Sequence, residues 1–125
     1  MVFDTDVLIF ALRGHAGAGD MIDGDDRRSI SLITYLELLA GIRGKREHAR
    51  IRSFLSDLAI ETLPLSEQIG QRAAVYMEEY GSGTGMGQAD ALIAATAVQL
   101  NQPLCTANTK RFSGLRDLVL RSFKP

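Results

Sequence analysis

This 125-residue chain has one cysteine, two histidines and no apolar run of the roughly 20 residues that a membrane-spanning helix needs. A single Cys105 excludes an internal disulfide, and its apolar setting, Pro-Leu-Cys-Thr-Ala, predicts a buried, inert thiol. A chain without bridges or thiol clusters suits a reducing cytoplasm. His15 and His48 stand apart from each other and from Cys105, so zinc has no ligand grouping here. Charge of one sign is also missing overall, since the formal net charge is −1. The start of the chain has no basic segment, and Asp4 and Asp6 interrupt its apolar run, so no secretory leader is expected. Length and composition predict one soluble domain spanning 1–125, with 46% hydrophobic and 23% charged residues.

The organising stretch is Met1 to Leu12. Val2 and Phe3 read as a short buried strand ending at Asp4. Thr5 and Asp6 are good helix caps, and Val7 to Leu12 supply an apolar helix. A carboxylate is thus expected at the carboxyl end of a strand, where open α/β sheets bind ligands. Gly14, Gly17 and Gly19 predict a turn, followed by a short helix around Asp20 to Gly24. Strands are expected at 29–32, 60–63, 103–107 and 118–123. Helices are expected from Ser31 or Thr34 to about Ile42, over 47–58, from Ser66 to Tyr80 and over 88–100. This alternation predicts a parallel sheet covered on both faces. The glycine-rich loop at 81–87 follows a helix rather than a strand and lacks the Gly-Lys-Ser/Thr ending of a phosphate cradle.

The chemical signal is where charge is scarce. Glu37 is the only charged residue from Ser29 to Ile42, Asp90 the only one from Thr84 to Ala107, and Asp4 and Asp6 the only ones from Met1 to Leu12. An ionised carboxylate in such surroundings costs several kcal/mol unless it has a partner. No basic residue lies within one helical turn of Glu37 or Asp90. Separate structural roles are open to each acid: a turn at Asp4, a distant arginine for Glu37, a helix N-terminus for Asp90. A shared cause is a divalent cation held by carboxylate oxygens, which suits Mg²⁺ or Mn²⁺.

These residues carry a resemblance. Phe-Asp-Thr-Asp-Val-Leu-Ile at 3–9, Ser-Leu-Ile-Thr-Tyr-Leu-Glu-Leu-Leu-Ala-Gly at 31–41, Asp-Ala-Leu-Ile-Ala-Ala-Thr-Ala at 90–97 and, more weakly, Thr-Ala-Asn-Thr-Lys-Arg-Phe at 106–112 are similar to the PIN-domain nucleases. Within them the chain resembles VapC-type toxins of bacterial toxin–antitoxin pairs. The resemblance implies a PIN-like three-layer α/β/α sandwich around a central parallel sheet of about four or five strands. It implies Asp4, Glu37 and Asp90 as catalytic and metal-binding acids, with Mg²⁺ or Mn²⁺ as cofactor. Thr5, Asp6, Thr106 and Asn108 would support them, Asn108 reaching the ion through a water. Many members carry a further acid within the segment matching Thr106 to Phe112, and here none is present. The implied reaction is hydrolysis of RNA to 5′-phosphate and 3′-hydroxyl ends, in a homodimer partnered by an antitoxin. Arg43, Lys45, Arg46, Lys110 and Arg111 become candidate RNA phosphate contacts. The acidic patch of Asp20, Asp23, Asp25 and Asp26 is a candidate antitoxin contact.

Two other readings start from the same residues. Asp4-Thr-Asp is similar to the Asp-x-Asp opening of haloacid-dehalogenase-like phosphatases, in which Asp4 would be a nucleophile, but no late acidic pair follows. A receiver-type domain would need an aspartate ending a middle strand, and Ile60-Glu-Thr-Leu supplies none. A catalytically degenerate PIN fold acting as a binding module is the non-enzyme alternative.

Overall fold

Val2 and Phe3 form the shortest and most central strand of the sheet, β1. In the computed structural model, which describes all 125 residues, four further strands follow: β2 (Ser29–Ser31), β3 (Glu61–Leu63), β4 (Leu104–Thr106) and β5 (Leu120–Ser122). Their order across the sheet is β3-β2-β1-β4-β5, and every pairing is parallel. The chain builds outward from β1 to β3, then returns to add β4 and β5 on the other side. The switch point therefore lies between β1 and β4, and crevices at such points open at the carboxyl ends of the strands.

The strands alternate their side chains between two cores. Val2 and Leu104 face one cluster, with Ile69, Ala73 and Tyr76 of α5 (Glu67–Tyr80) and Ala91 to Ala97 of α6 (Gln88–Gln99). Phe3, Ile30 and Cys105 face the other. It is filled by Val7 and Leu8 of α1 (Thr5–Leu12), Ile22 of α2 (Ala16–Asp23), Leu38 of α3 (Leu32–Ala40), and Ile51 and Leu55 of α4 (Lys45–Asp57). The three expected layers are present, with five strands. Helix α6 is apolar all round because α5 covers one side and the sheet the other.

Three local expectations change. Asp4 itself caps α1, accepting the Thr5 N–H at 2.8 Å, so Thr5 and Asp6 are the first helical residues. The expected turn through Gly17 and Gly19 is instead the first half of α2. His15 caps that helix by accepting the Ala18 N–H on Nδ1, and its ring packs edge-on against Phe10 and Phe123. A short helix, α7 (Thr109–Phe112), follows β4, capped by Asn108 and anchored by the fully buried Phe112. Cys105 is buried as expected, and burial together with the charges of Asp6 and Asp4 pushes its thiol up to about 11.

Away from the crevice, Tyr76 on α5 donates to Asp117, 2.9 Å away, which also pairs with Arg72 at 2.9 Å. This ties α5 to the segment before β5. Burial and the bond to Asp117 push the Tyr76 phenol up to about 12. Tyr76→Phe removes the hydroxyl but keeps the ring, and should cost about 1 kcal/mol. A lower urea midpoint at unchanged slope is the expected record of that loss.

Candidate active site

Asp4 leaves β1 at the switch point, and the helix that follows it begins at once. Its carboxylate is 5% exposed. Oδ1 accepts the Thr5 N–H, and Oδ2 accepts the Thr106 hydroxyl at 2.7 Å from the end of the neighbouring β4. Burial is the largest influence on this group and the adjacent Asp6 charge the next, so its pKa rises to about 6 despite both hydrogen bonds. Asp90 adds a smaller push in the same direction, which places it within electrostatic reach of Asp4.

The remaining acids border the same crevice in different ways. Asp6, in the first turn of α1, accepts the Ala107 N–H on Oδ2 at 3.1 Å, with the Thr106 hydroxyl 3.4 Å away. Its Oδ1 is buried without any hydrogen-bond partner, and burial raises its pKa. Glu37 accepts the Thr5 hydroxyl on Oε1 at 2.7 Å, and Thr5 also meets Thr34 at 3.0 Å. Thr5 thus links the first acid to the second.

Two expectations about burial and pairing are corrected. Glu37 is exposed, at the rim rather than within the core. Only Thr34 and Leu38 of α3 are buried, and the apolar residues around Glu37 extend beyond the stripe the core can cover; Leu36 is 46% exposed. One oxygen held by Thr5 leaves this side chain free to turn inward. Asp90 does have a partner: Arg111 Nη1 lies 3.0 Å from its Oδ1, reaching from α7 across the crevice. Asp90 Oδ2 accepts the Gly87 N–H at 2.9 Å, so the acid also fastens the start of α6.

Asn108 turns its side-chain oxygen to the Arg111 N–H at 3.4 Å to cap α7, while its own N–H donates to the Thr106 hydroxyl at 3.0 Å. It is a scaffold for the β4–α7 corner. Thr106 is where the network converges, bonding to Asp4 and Asn108 and approaching Asp6. Arg43, Lys45, Arg46 and Lys110 are exposed. Two of the acids in the 20–26 patch are spent locally, Asp25 on the Met1 amino group and Asp23 on Arg28 at 3.8 Å.

The donor set suits a divalent cation in chemistry: hard carboxylate oxygens, a buried Asp4 whose charge lacks a cationic neighbour, and an unused buried oxygen on Asp6. As placed, no three of these acids lie close enough together to hold an ion. An ion would draw Glu37 in from the rim and compete with Arg111 for Asp90. The crevice therefore fits such an ion by the chemistry of its donors and not by their present spacing. A cavity of about 260 Å³ between α1, α3 and α4, lined by Ile9, Leu12, Leu38 and Ile42, has Glu37 on its edge. A larger one, about 510 Å³, lies beside Arg72, Tyr76 and Asp117, and none of the acids of the crevice lines it.

Known proteins resemble this chain over nearly all its length. The model of the PIN domain matches residues 1–118. Ribonuclease VapC19 of Mycobacterium tuberculosis is 30% identical over 122 residues, covering 94% of this chain and 95% of that protein. Ribonuclease VapC1 of Haemophilus influenzae is 30% identical over 127 residues, covering 94% and 92%. A toxin–antitoxin complex from Klebsiella pneumoniae contains a chain of the same fold, with a TM-score of 0.78, 31% identity and 94% of each chain covered. No helix here is long and apolar enough to cross a membrane. With a five-stranded parallel sheet and a family match over nearly all its length, the chain belongs to the PIN-domain family.

Proposed function

We propose that this protein is a metal-dependent endoribonuclease and the toxin of a VapBC-type toxin–antitoxin pair, active as a homodimer that fills 1–125 with one nuclease domain. The observation that carries it is the buried Asp4 carboxylate, held at the switch point with its pKa raised to about 6 and with Asp6, Glu37 and Asp90 around it. Relatives named as ribonucleases, and a related chain solved in a toxin–antitoxin complex, support the reading.

Asp4, Glu37 and Asp90 would hold Mg²⁺ or Mn²⁺, with Asp6 presenting its spare oxygen beside them. When bound, such an ion supplies an acidified water and neutralises charge on the phosphoryl oxygens. Asp4 must be deprotonated to hold it, and the bonds from Thr5 and Thr106 favour that state. Thr5 holds Glu37 at the rim of the crevice, from which it would have to turn inward. The exposed Lys110 on α7, Arg43 after α3, and Lys45 and Arg46 at the start of α4 hold RNA phosphates and so position the strand without reading its sequence. No histidine or lysine bonds to the acids, so solvent protonates the leaving oxygen.

Incubating the purified protein with RNA and Mg²⁺ or Mn²⁺, beside Asp4→Asn, tests this. Cleavage to 5′-phosphate and 3′-hydroxyl ends is expected from the unmodified protein alone. A 2′,3′-cyclic phosphate product, or equal cleavage by Asp4→Asn, would overturn it; an aspartyl-phosphate trapped at Asp4 would point to the phosphatase reading. Charge reversal at Arg46 or Lys110 should weaken binding alike across RNA sequences and flatten its salt dependence by about one phosphate contact.

A further inference from the structure

We propose that Arg111 is a built-in rival to the metal: its guanidinium occupies Asp90 until a divalent cation takes the carboxylate, so loading the ion and freeing Arg111 are one event. The inference rests on the metal-dependent reading above and adds a residue that sets how tightly, and when, the ion binds.

Both oxygens of Asp90 are already engaged. The bond from the Gly87 N–H belongs to the backbone at the start of α6, and an ion at the crevice leaves it in place. The contact with Arg111 is different. It joins residues 21 apart through the tip of a long side chain, 37% exposed against 13% for Asp90. It is the contact that gives way. The same guanidinium also eases the charge on Asp6, whose Oδ1 is buried without a partner. One positive group thus serves two acids that border Asp4.

Arg111 repels an incoming cation and compensates the charge of the metal-free crevice. Two cations cannot share Asp90 Oδ1 without strong mutual repulsion. When Arg111 is displaced it remains on α7 beside the exposed Lys110, at the edge of the crevice. A guanidinium there is well suited to a substrate phosphate, through paired N–H donors. Because binding free energies are reciprocal, whatever the ion does to Arg111 an RNA phosphate that captures Arg111 does for the ion.

The test is the Mn²⁺ affinity of the full chain without RNA, read from free Mn²⁺ by electron paramagnetic resonance, for the unmodified protein, Arg111→Gln, Arg111→Lys and Asp4→Asn. Arg111→Gln should bind Mn²⁺ about fivefold tighter, the scale set by a half-exposed ion pair. Arg111→Lys should fall between, about twofold tighter, because a point charge replaces a planar fork. Thermal melts give a second readout. Arg111→Gln should melt below the unmodified protein in chelator and at or above it in saturating Mn²⁺, whereas a merely structural arginine would lower both equally. Equal or weaker Mn²⁺ binding by Arg111→Gln, with binding still abolished in Asp4→Asn, would overturn the rivalry and leave the nuclease reading standing. If Arg111→Gln does not fold, an affinity of Arg111→Lys no tighter than the unmodified protein's does the same. Mn²⁺ binding indifferent to Asp4→Asn would instead remove the metal site beneath both.

Discussion

Asp4→Asn should yield a protein that no longer cleaves RNA yet melts at a higher temperature near neutral pH. Burial and the neighbouring Asp6 hold the Asp4 pKa at about 6, against an ordinary 3.8. Between those values the folded protein binds a proton that the unfolded chain has released. The contribution of Asp4 to stability is therefore greatest at the acid end, falls as pH rises, and reaches its full cost above about pH 6. A shift of this size corresponds to roughly 3 kcal/mol at neutral pH. With only 5% exposure, solvent screens little of it. Asparagine removes the charge and keeps the bonding: its oxygen accepts the Thr5 N–H and its amide donates to the Thr106 hydroxyl. That hydroxyl then turns its proton toward Asp6 Oδ2, 3.4 Å away. A net gain of about 2 kcal/mol, or roughly 8 °C in Tm for a domain of this size, is expected in chelator. The gap should close as the pH is lowered to the ordinary carboxylate range. A variant that melts lower at neutral pH, or a gap that ignores pH, would show that the Asp4 charge is not a stored cost. The expectation follows a wider pattern, in which sites held ready for a ligand are destabilised until it arrives.

Much of this crevice is legible in the amino-acid order, because its acids sit in stretches otherwise free of charge. Asp4 is placed correctly by a two-residue apolar strand and a helix start, and α5 and α6 by their periodicity. What is not legible has a physical reason in each case. Leu36, Leu38 and Leu39 surround Glu37 with apolar residues on every side, so spacing alone does not say which edge of α3 reaches the core. The structure leaves Glu37 outside, held by a threonine from another element. Asp90 looks unpartnered because local spacing reports only contacts within a helical turn. Arg111 approaches from beyond β4, and only the parallel sheet brings α7 alongside α6. The first half of the helix at 16–23 is hidden because glycines suggest a turn, and its cap is a histidine nitrogen rather than a hydroxyl or carboxylate. Four residues of α7 are too few to show a period. Thr106 gives no signal by charge or spacing in a short apolar strand, and only the resemblance at 106–112 names it, although its hydroxyl joins three parts of the crevice.

Thr106→Val should therefore have a large effect for an isosteric change. Thr106 is fully buried, donates to Asp4 Oδ2 at 2.7 Å and accepts the Asn108 N–H at 3.0 Å. Valine does neither, which strands a part-buried amide and a buried carboxylate oxygen and should cost about 2 kcal/mol. It also removes one of the two bonds that hold the Asp4 pKa down. The carboxyl-carbon shift of Asp4, followed by NMR in the metal-free protein, should titrate near 6 in the unmodified chain and higher in Thr106→Val. Thr106→Ser separates the two roles. It keeps the hydroxyl, so the titration should stay in place, while the lost methyl costs about 1 kcal/mol through the small void it leaves. Since a carboxylate must be deprotonated to take an ion, Thr106→Val should also need a higher pH to bind Mn²⁺, and Thr106→Ser should not. If serine moves the Asp4 titration and valine does not, the methyl packing sets that pKa. If only valine moves it, the hydroxyl at the end of β4 is what holds down the pKa of the carboxylate that follows β1.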